Sequence, residues 1–229
     1  MKPIEALKLT TTTLVLILIA TACGPAPEPP TAVPTPVSEE SPAAEMPALA
    51  GGKLIYGLTL APSGIDPHVN ASSELGIPLT SVYDTLVWQD LNGEFVPGLA
   101  KSWETSDDGL TYTFHLRDDV VFHDGTPFNA QAVKFNLDRI ADPATKSQKA
   151  IFMLGPYEST EIVNDDTVQV HFKEPYAPFL DSVSQVYLGM ASPTAVEKWG
   201  ADYSLHQVGT GPFIMKEYIP QDHLTLVRN

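Results

Sequence analysis

The chain has 229 residues, 43% of them hydrophobic, enough for a sizeable core in one large domain or two small ones. Its formal net charge of −15 argues against a nucleic-acid partner, because phosphate binding needs clustered Lys and Arg, and equally against an acidic substrate held by a broad electrostatic field. The single cysteine, Cys23, excludes an internal disulfide.

Lys2 and Lys8 flank the start of the chain, and Leu14 to Ala20 is an apolar run. That run is too short to cross a bilayer, which takes about 20 residues. Ala20-Thr21-Ala22-Cys23 reads as a lipobox. Residues 1–22 are then a lipoprotein signal peptide and Cys23 is the lipidated N-terminus of the mature protein; a plain secretory signal beside an incidental cysteine is the alternative. Residues 23–50 are rich in Pro, Ala, Thr, Ser and Glu. Such a segment cannot bury enough surface to offset chain entropy and reads as a disordered linker.

Leu54 to Leu60 alternates as a strand, with Leu54, Tyr56, Leu58 and Leu60 on one face. A loop follows, Ala61-Pro62-Ser63-Gly64-Ile65-Asp66-Pro67-His68. Gly76 to Trp88 reads as a helix, and Asn92-Gly93 centres a turn over Gln89 to Glu94. Lys101 to Thr105 and Leu110 to Leu116 read as a hairpin around Asp107-Asp108-Gly109. Its second strand places Leu110, Tyr112, Phe114 and Leu116 on one face and Thr111, Thr113 and His115 on the other. Val120 to His123 reads as another short strand, closed by Asp124-Gly125. Asn129 is the expected N-cap of a helix that carries Val133, Leu137 and Ile140 at i, i+4 and i+7. Tyr157 to Val163 and Thr167 to Phe172 form a second expected hairpin around Asn164-Asp165-Asp166. Strands are expected over Ile214 to Tyr218 and Leu224 to Val227.

One stretch carries a resemblance. Pro97 to Arg139 reads PGLAKSWETSDDGLTYTFHLRDDVVFHDGTPFNAQAVKFNLDR. It resembles the signature region of the family 5 solute-binding proteins of ABC importers, the dipeptide-, oligopeptide- and nickel-binding group. Leu99-Ala100, Ser102-Trp103, Asp108-Gly109, Thr111 to Phe114, Leu116-Arg117, Phe122 to Gly125 and Arg139 match the family pattern in order. Gln131, or Ala132 beside it, departs from it, standing where an acidic residue is usual early in the helix. Val208-Gly209-Thr210-Gly211-Pro212-Phe213 is similar to a second family segment, where the chain returns from the small lobe to the first.

The resemblance implies an α/β fold of the periplasmic-binding-protein type II (cluster C) kind, incomplete here. It would comprise the start of lobe I at 51–75, an inserted α+β small lobe at 76–200 and a truncated return to lobe I at 201–229. It implies a lipid-anchored, extracytoplasmic, monomeric receptor that captures peptides and delivers them to ABC permease subunits by cleft closure, with no cofactor and no bond made or broken. Members are about twice as long, so the chain is expected to be an N-terminal fragment carrying one wall of the pocket. Loops after strand ends are the usual ligand positions in α/β sheets. In peptide-binding relatives this segment offers backbone hydrogen bonds to an extended ligand. The implied ligand-binding residues are Ser63, Gly64, Asn70, Ala71, Ser72 and Ser73, together with Tyr187 and Gly189. Nickel-chelate binders carry Arg near Tyr187 to Ser192, and the YLGMAS found here has none. Oligosaccharide and opine ligands stay open.

Catalytic readings fare worse. His115 and His123 do not form a compact ligand set, and with a lone cysteine no metal site is expected. The pairs Asp107-Asp108, Asp118-Asp119 and Asp165-Asp166 sit beside turns, where turn chemistry accounts for them. A secreted lipoprotein hydrolase using His123 and Asp124 is the competing class; it lacks a G-x-S-x-G elbow.

Overall fold

The computed structural model describes residues 51–62 and 64–229. Cys23, the expected signal peptide, the expected linker and Ser63 lie outside the described residues. Residues Leu54–Asn229 form one compact unit. In chain order it contains α1 (Gly76–Val82), β1 (Val87–Gln89), β2 (Phe95–Pro97), β3 (Ala100–Thr105), β4 (Thr111–Leu116) and α2 (Ala130–Ala141). Then come α3 (Ala150–Leu154), β5 (Tyr157–Asn164), β6 (Thr167–Phe172), α4 (Phe179–Ser182), α5 (Pro193–Trp199), β7 (Phe213–Ile219) and β8 (His223–Arg228).

The centre is a four-stranded antiparallel sheet in the order β3-β4-β6-β5. Period-two alternation buries Tyr112, Phe114 and Leu116 of β4 with Val168, Val170 and Phe172 of β6 on one face. The helix α2 packs on that face through Val133, Leu137 and Ile140, its N-terminus capped by Asn129 Oδ1 accepting from the Ala132 amide at 3.1 Å. The other face carries a polar lattice. There Thr111 Oγ1 lies 3.1 Å from His171 Nδ1, and Gln169 donates to Thr113 at 3.3 Å. At the β3–β4 turn the Asp108 carboxylate accepts from the Leu110 amide, and Gly109 takes φ +70°.

Three expected elements are corrected. Leu54 to Leu60 is not a strand: Leu54 and Ile55 are both mostly exposed, and no described strand is hydrogen-bonded to the segment. An alternating pattern becomes a strand only when a neighbour supplies the ladder. Val120 to His123 forms a single bridge, Val121 to Pro127, around a tight turn in which the Gly125 amide donates to Phe122. Pro127 has no N–H with which to extend that ladder. The expected helix from Gly76 to Trp88 ends at Val82, since Tyr83 turns extended (φ −117°, ψ 137°) and Val87–Gln89 pairs with β2 instead. The Val82 carbonyl is taken by the Gly211 amide at 2.9 Å. A Cβ on Gly209 would stand 2.1 Å from that same carbonyl, so the Gly209-Thr210-Gly211 segment is glycine-dependent by close approach.

Candidate functional site

The loop from Gly64 to Leu75 closes on itself. The Asn70 amide donates to the Asp66 carbonyl at 3.2 Å, and the Asp66 amide donates to Asn70 Oδ1 at 3.3 Å. Gly64 adopts φ +139° with its Cα face against the Asn70 side chain. Ser72 caps a 3₁₀ turn at Ser73–Leu75, its Oγ accepting from the Glu74 amide at 3.3 Å. A second loop meets the first. Tyr187, in the 3₁₀ turn Val186–Leu188, donates its hydroxyl to the Ser72 carbonyl at 2.9 Å. The Gly189 carbonyl lies 2.9 Å from His68 Nε2. A third segment joins through the Gln148 amide, which donates to the Val69 carbonyl at 3.2 Å, and Lys149 Nζ sits 3.7 Å from the centre of the Tyr187 ring.

The structure therefore brings six of the eight expected residues together, Gly64 with Asn70, Ser72 with Tyr187, and Gly189 and Ser73 beside them; of these Gly64, Asn70, Tyr187 and Gly189 are buried, and Ser72 and Ser73 reach solvent. Ala71 is exposed on the same loop. Ser63 lies outside the described residues. Ser73 is exposed and Ser72 half-exposed, while Gly189 is hemmed in, a Cβ there meeting Tyr83 at 2.9 Å.

Sequence reasoning missed what holds this surface in place. Arg139 of α2 donates to both Asp66 carboxylate oxygens, at 3.0 and 2.6 Å, in a fork-to-fork pair almost wholly out of water. The same guanidinium donates to His68 Nδ1 at 2.8 Å. His68 must therefore accept at Nδ1 and carry its proton on Nε2, which donates to Gly189. Below it Tyr83 and Tyr203 share a hydroxyl contact of 2.9 Å, and burial raises both their pKa values. The Asp-Pro-His run and Arg139 were each legible as motif residues, but they stand 73 positions apart and nothing in the sequence joins them.

Burial, then the neighbouring Arg139 charge, pushes the His68 pKa down to about 4. The sign follows directly. Between the ordinary histidine value near 6.5 and about 4, the unfolded chain takes up a proton that the folded chain refuses. Stability is thus full above pH 6.5 and falls as pH drops to about 4, by roughly 3 kcal/mol in total from this group. His123 has its pKa lowered by burial and adds to the same trend. Urea unfolding at stepped pH should show the slope, and His68→Gln, which keeps a donor and an acceptor, should flatten it; an equal slope in that variant would contradict the assignment.

The competing acid–base pair is engaged elsewhere. His123 accepts from the Gly209 amide at Nδ1 and donates from Nε2 to the Gly211 carbonyl at 2.9 Å. Asp124 accepts from Ser192 Oγ at 2.5 Å and Thr126 Oγ1 at 2.6 Å. The two residues pin the turn to its neighbours and make no bond to each other. Among the described residues, no three His, Cys, Asp or Glu side chains are grouped as a metal site. What stays open to solvent here is the Ala71–Ser73 stretch, with Lys149 half-exposed beside Tyr187.

Comparison with known proteins agrees. Residues 94–229 match the family model of bacterial extracellular solute-binding proteins, family 5. The chain is 36% identical over 183 residues to the glutathione-binding protein GsiB of Salmonella typhi, covering 80% of this chain and 35% of that one. Among solved structures it is similar to DppA of Helicobacter pylori in complex with the peptide STSA, at 29% identity and TM-score 0.65, covering 74% of this chain and 37% of that one. It is also similar to NikZ of Campylobacter jejuni in complex with Ni(L-His), at 30% identity and TM-score 0.64, covering 73% of this chain and 33% of that one. The chain thus spans about a third of the length of these relatives. The expected fold is the observed one, a periplasmic-binding-protein type II arrangement in part, and the chain belongs to the family 5 bacterial extracellular solute-binding proteins.

Proposed function

We propose that this protein captures short peptides outside the cytoplasmic membrane and hands them to the permease of an ABC importer, as a monomer tethered through lipidated Cys23. The single observation that carries the reading is the joining of the Gly64–Ser73 loop to Tyr187 and Gly189 through main-chain and hydroxyl bonds, which fixes the accessible Ala71–Ser73 stretch. Relatives named for glutathione and for a bound peptide support the peptide class. The expected division into lobe I at 51–75, a small lobe at 76–200 and a return at 201–229 fits a wall of this kind.

The test uses the protein at its full encoded length. A ligand that binds only the folded state stabilises it by RT ln(1 + [L]/Kd), about 2.7 kcal/mol at a hundredfold excess over Kd. Reduced glutathione or a short peptide should raise Tm and be recovered unchanged. No shift with any di- to pentapeptide would end the peptide reading, and consumption of the peptide would favour the hydrolase. Cys23→Ser should move the protein from the membrane to the soluble fraction; unchanged fractionation would argue against the anchor.

A further inference from the structure

The Gly209-Thr210-Gly211 segment is held from two sides. On one side stands His123, in the tight turn that bridges to Pro127. Its amide donates to the Gly209 carbonyl at 2.9 Å. Its ring accepts from the Gly209 amide at Nδ1, at 3.4 Å, and donates from Nε2 to the Gly211 carbonyl at 2.9 Å. On the other side lies the end of α1. There the Val82 carbonyl accepts from the Gly211 amide, and the Asp84 carboxylate accepts from Thr210 Oγ1, each at 2.9 Å. The fit is close: a Cβ on Gly209 would stand 2.7 Å from the Tyr83 ring, and one on Gly211 would stand 2.7 Å from the Val82 carbonyl carbon. A segment packed this tightly passes a displacement on to its neighbours.

Those neighbours lead to the ligand loop. The Asp84 carbonyl accepts from the Met190 amide at 3.0 Å. Met190 follows Gly189, which lies against Tyr83. Bonds thus run from His123 through Gly209-Thr210-Gly211 to Asp84 and Met190, and on to the turn whose Tyr187 holds the Ser72 carbonyl.

The ring clamp needs a neutral imidazole, because Nδ1 accepts only while it carries no proton. A proton there would face the Gly209 N–H, donor against donor. Two carboxylates act on the ring, Asp84 from the segment after α1 and Asp124 from its own turn, and both favour its protonated form. Both are already engaged, Asp84 by Thr210 and Asp124 by Ser192 and Thr126. Tyr83, against Gly209, is kept neutral by burial. Burial of the ring outweighs the two carboxylates and lowers the His123 pKa from 6.5.

We propose that His123 is a positioning residue for the ligand loop: its neutral ring clamps Gly209 and Gly211, which through Thr210 and Asp84 hold the Tyr187–Gly189 turn, and protonation of that ring loosens the turn and weakens solute binding. The inference rests on the solute-binding reading above and adds a regulation of the same site. The clamp is complete above pH 6.5 and is lost as pH falls through the lowered His123 pKa, so affinity falls in acid.

The test is hydrogen exchange read by mass spectrometry on the full-length protein, over 186–190 and 208–212, between about pH 7 and pH 5. Protection is expressed against the unfolded chain, which removes the intrinsic pH dependence, and against β4, which carries any change in global stability. In the wild type both segments should lose about three- to tenfold in protection as pH falls, the weight of one hydrogen bond. His123→Gln keeps a donor and an acceptor but does not titrate, so both segments should stay level. Thr210→Val cuts the link to Asp84, so 208–212 should still respond while 186–190 does not. Reduced glutathione, whose carboxyls and amine largely hold their charge over this range, should bind the wild type about fivefold more weakly at the acid end and His123→Gln equally at both. A wild-type response confined to 208–212 would overturn the proposal, since His123 would then brace only its own neighbour. So would an equal response in His123→Gln, or a turn at 186–190 that still follows pH in Thr210→Val. Exchange is read without ligand, so the clamp and the peptide reading fail separately.

Discussion

Replacing Arg139 with Leu should cost about 3–5 kcal/mol of stability, a large fraction of the about 5–15 kcal/mol margin typical of a domain. The reason is what stays behind. Asp66 has only 4% of its side chain exposed, and Arg139 supplies two of the donors that make its negative charge tolerable there. Without the guanidinium the carboxylate keeps the His68 amide at 3.0 Å, and His68 Nδ1 loses its donor. A buried ion pair adds little net stability compared with an apolar pair of equal volume, yet half of one is strongly destabilising. The double variant Asp66→Leu/Arg139→Leu should therefore recover a large part of the loss. Arg139→Lys should not, because a point ammonium cannot serve both carboxylate oxygens and the imidazole. Urea unfolding with the m-value held constant measures all three. A loss below about 1 kcal/mol for Arg139→Leu would mean that water reaches the pair. Any variant that folds should also bind ligand poorly, since the pair anchors the loop that carries Asn70 and Ser72.

The elements legible in the sequence were those whose partner is close in the chain. The β3–β4 and β5–β6 hairpins follow from alternation plus an Asp/Asn turn, and α2 follows from Asn129 and its apolar spacing. Leu54 to Leu60 has the pattern of a strand but no described neighbour, so pattern and structure part there. The Val82–Tyr83 boundary was set by a distant contact, the approach of Gly209 and Gly211, whereas Val120 to His123 was cut short locally, by the tight turn and by Pro127, which lacks an N–H to extend the ladder. The candidate site divides in the same way. Its loop residues were found through resemblance to a family, while Arg139 with Asp66, and Lys149 on Tyr187, are pairings that only the fold creates.

Phe179→Ala should cost about 3–5 kcal/mol, the range for emptying a buried aromatic site. Phe179 begins α4 and is fully buried on the apolar face of the central sheet. Its ring meets Phe172 at 4.6 Å, Tyr112 at 5.1 Å and Phe114 at 6.0 Å between centroids, in each case edge to face. Edge-to-face pairs add about 0.5–1.5 kcal/mol each beyond burial, so this ring loses cavity, transfer and quadrupole terms together. The site has little room to collapse. Tyr112 is fixed by its hydroxyl bond to the Tyr176 carbonyl at 3.0 Å, and the sheet beneath is pinned on both sides by β3 and β5. Phe179→Leu keeps most of the volume and should lose about half as much. The consequence reaches the ligand surface, because α4 leads within a few residues into the Val186–Leu188 turn that sets Tyr187. Phe179→Ala should accordingly lower the urea midpoint and weaken ligand binding in parallel. If Phe179→Ala lowered stability by less than about 1 kcal/mol, the cluster would be repacking around the gap, and the rigidity ascribed to this face of the sheet would be wrong.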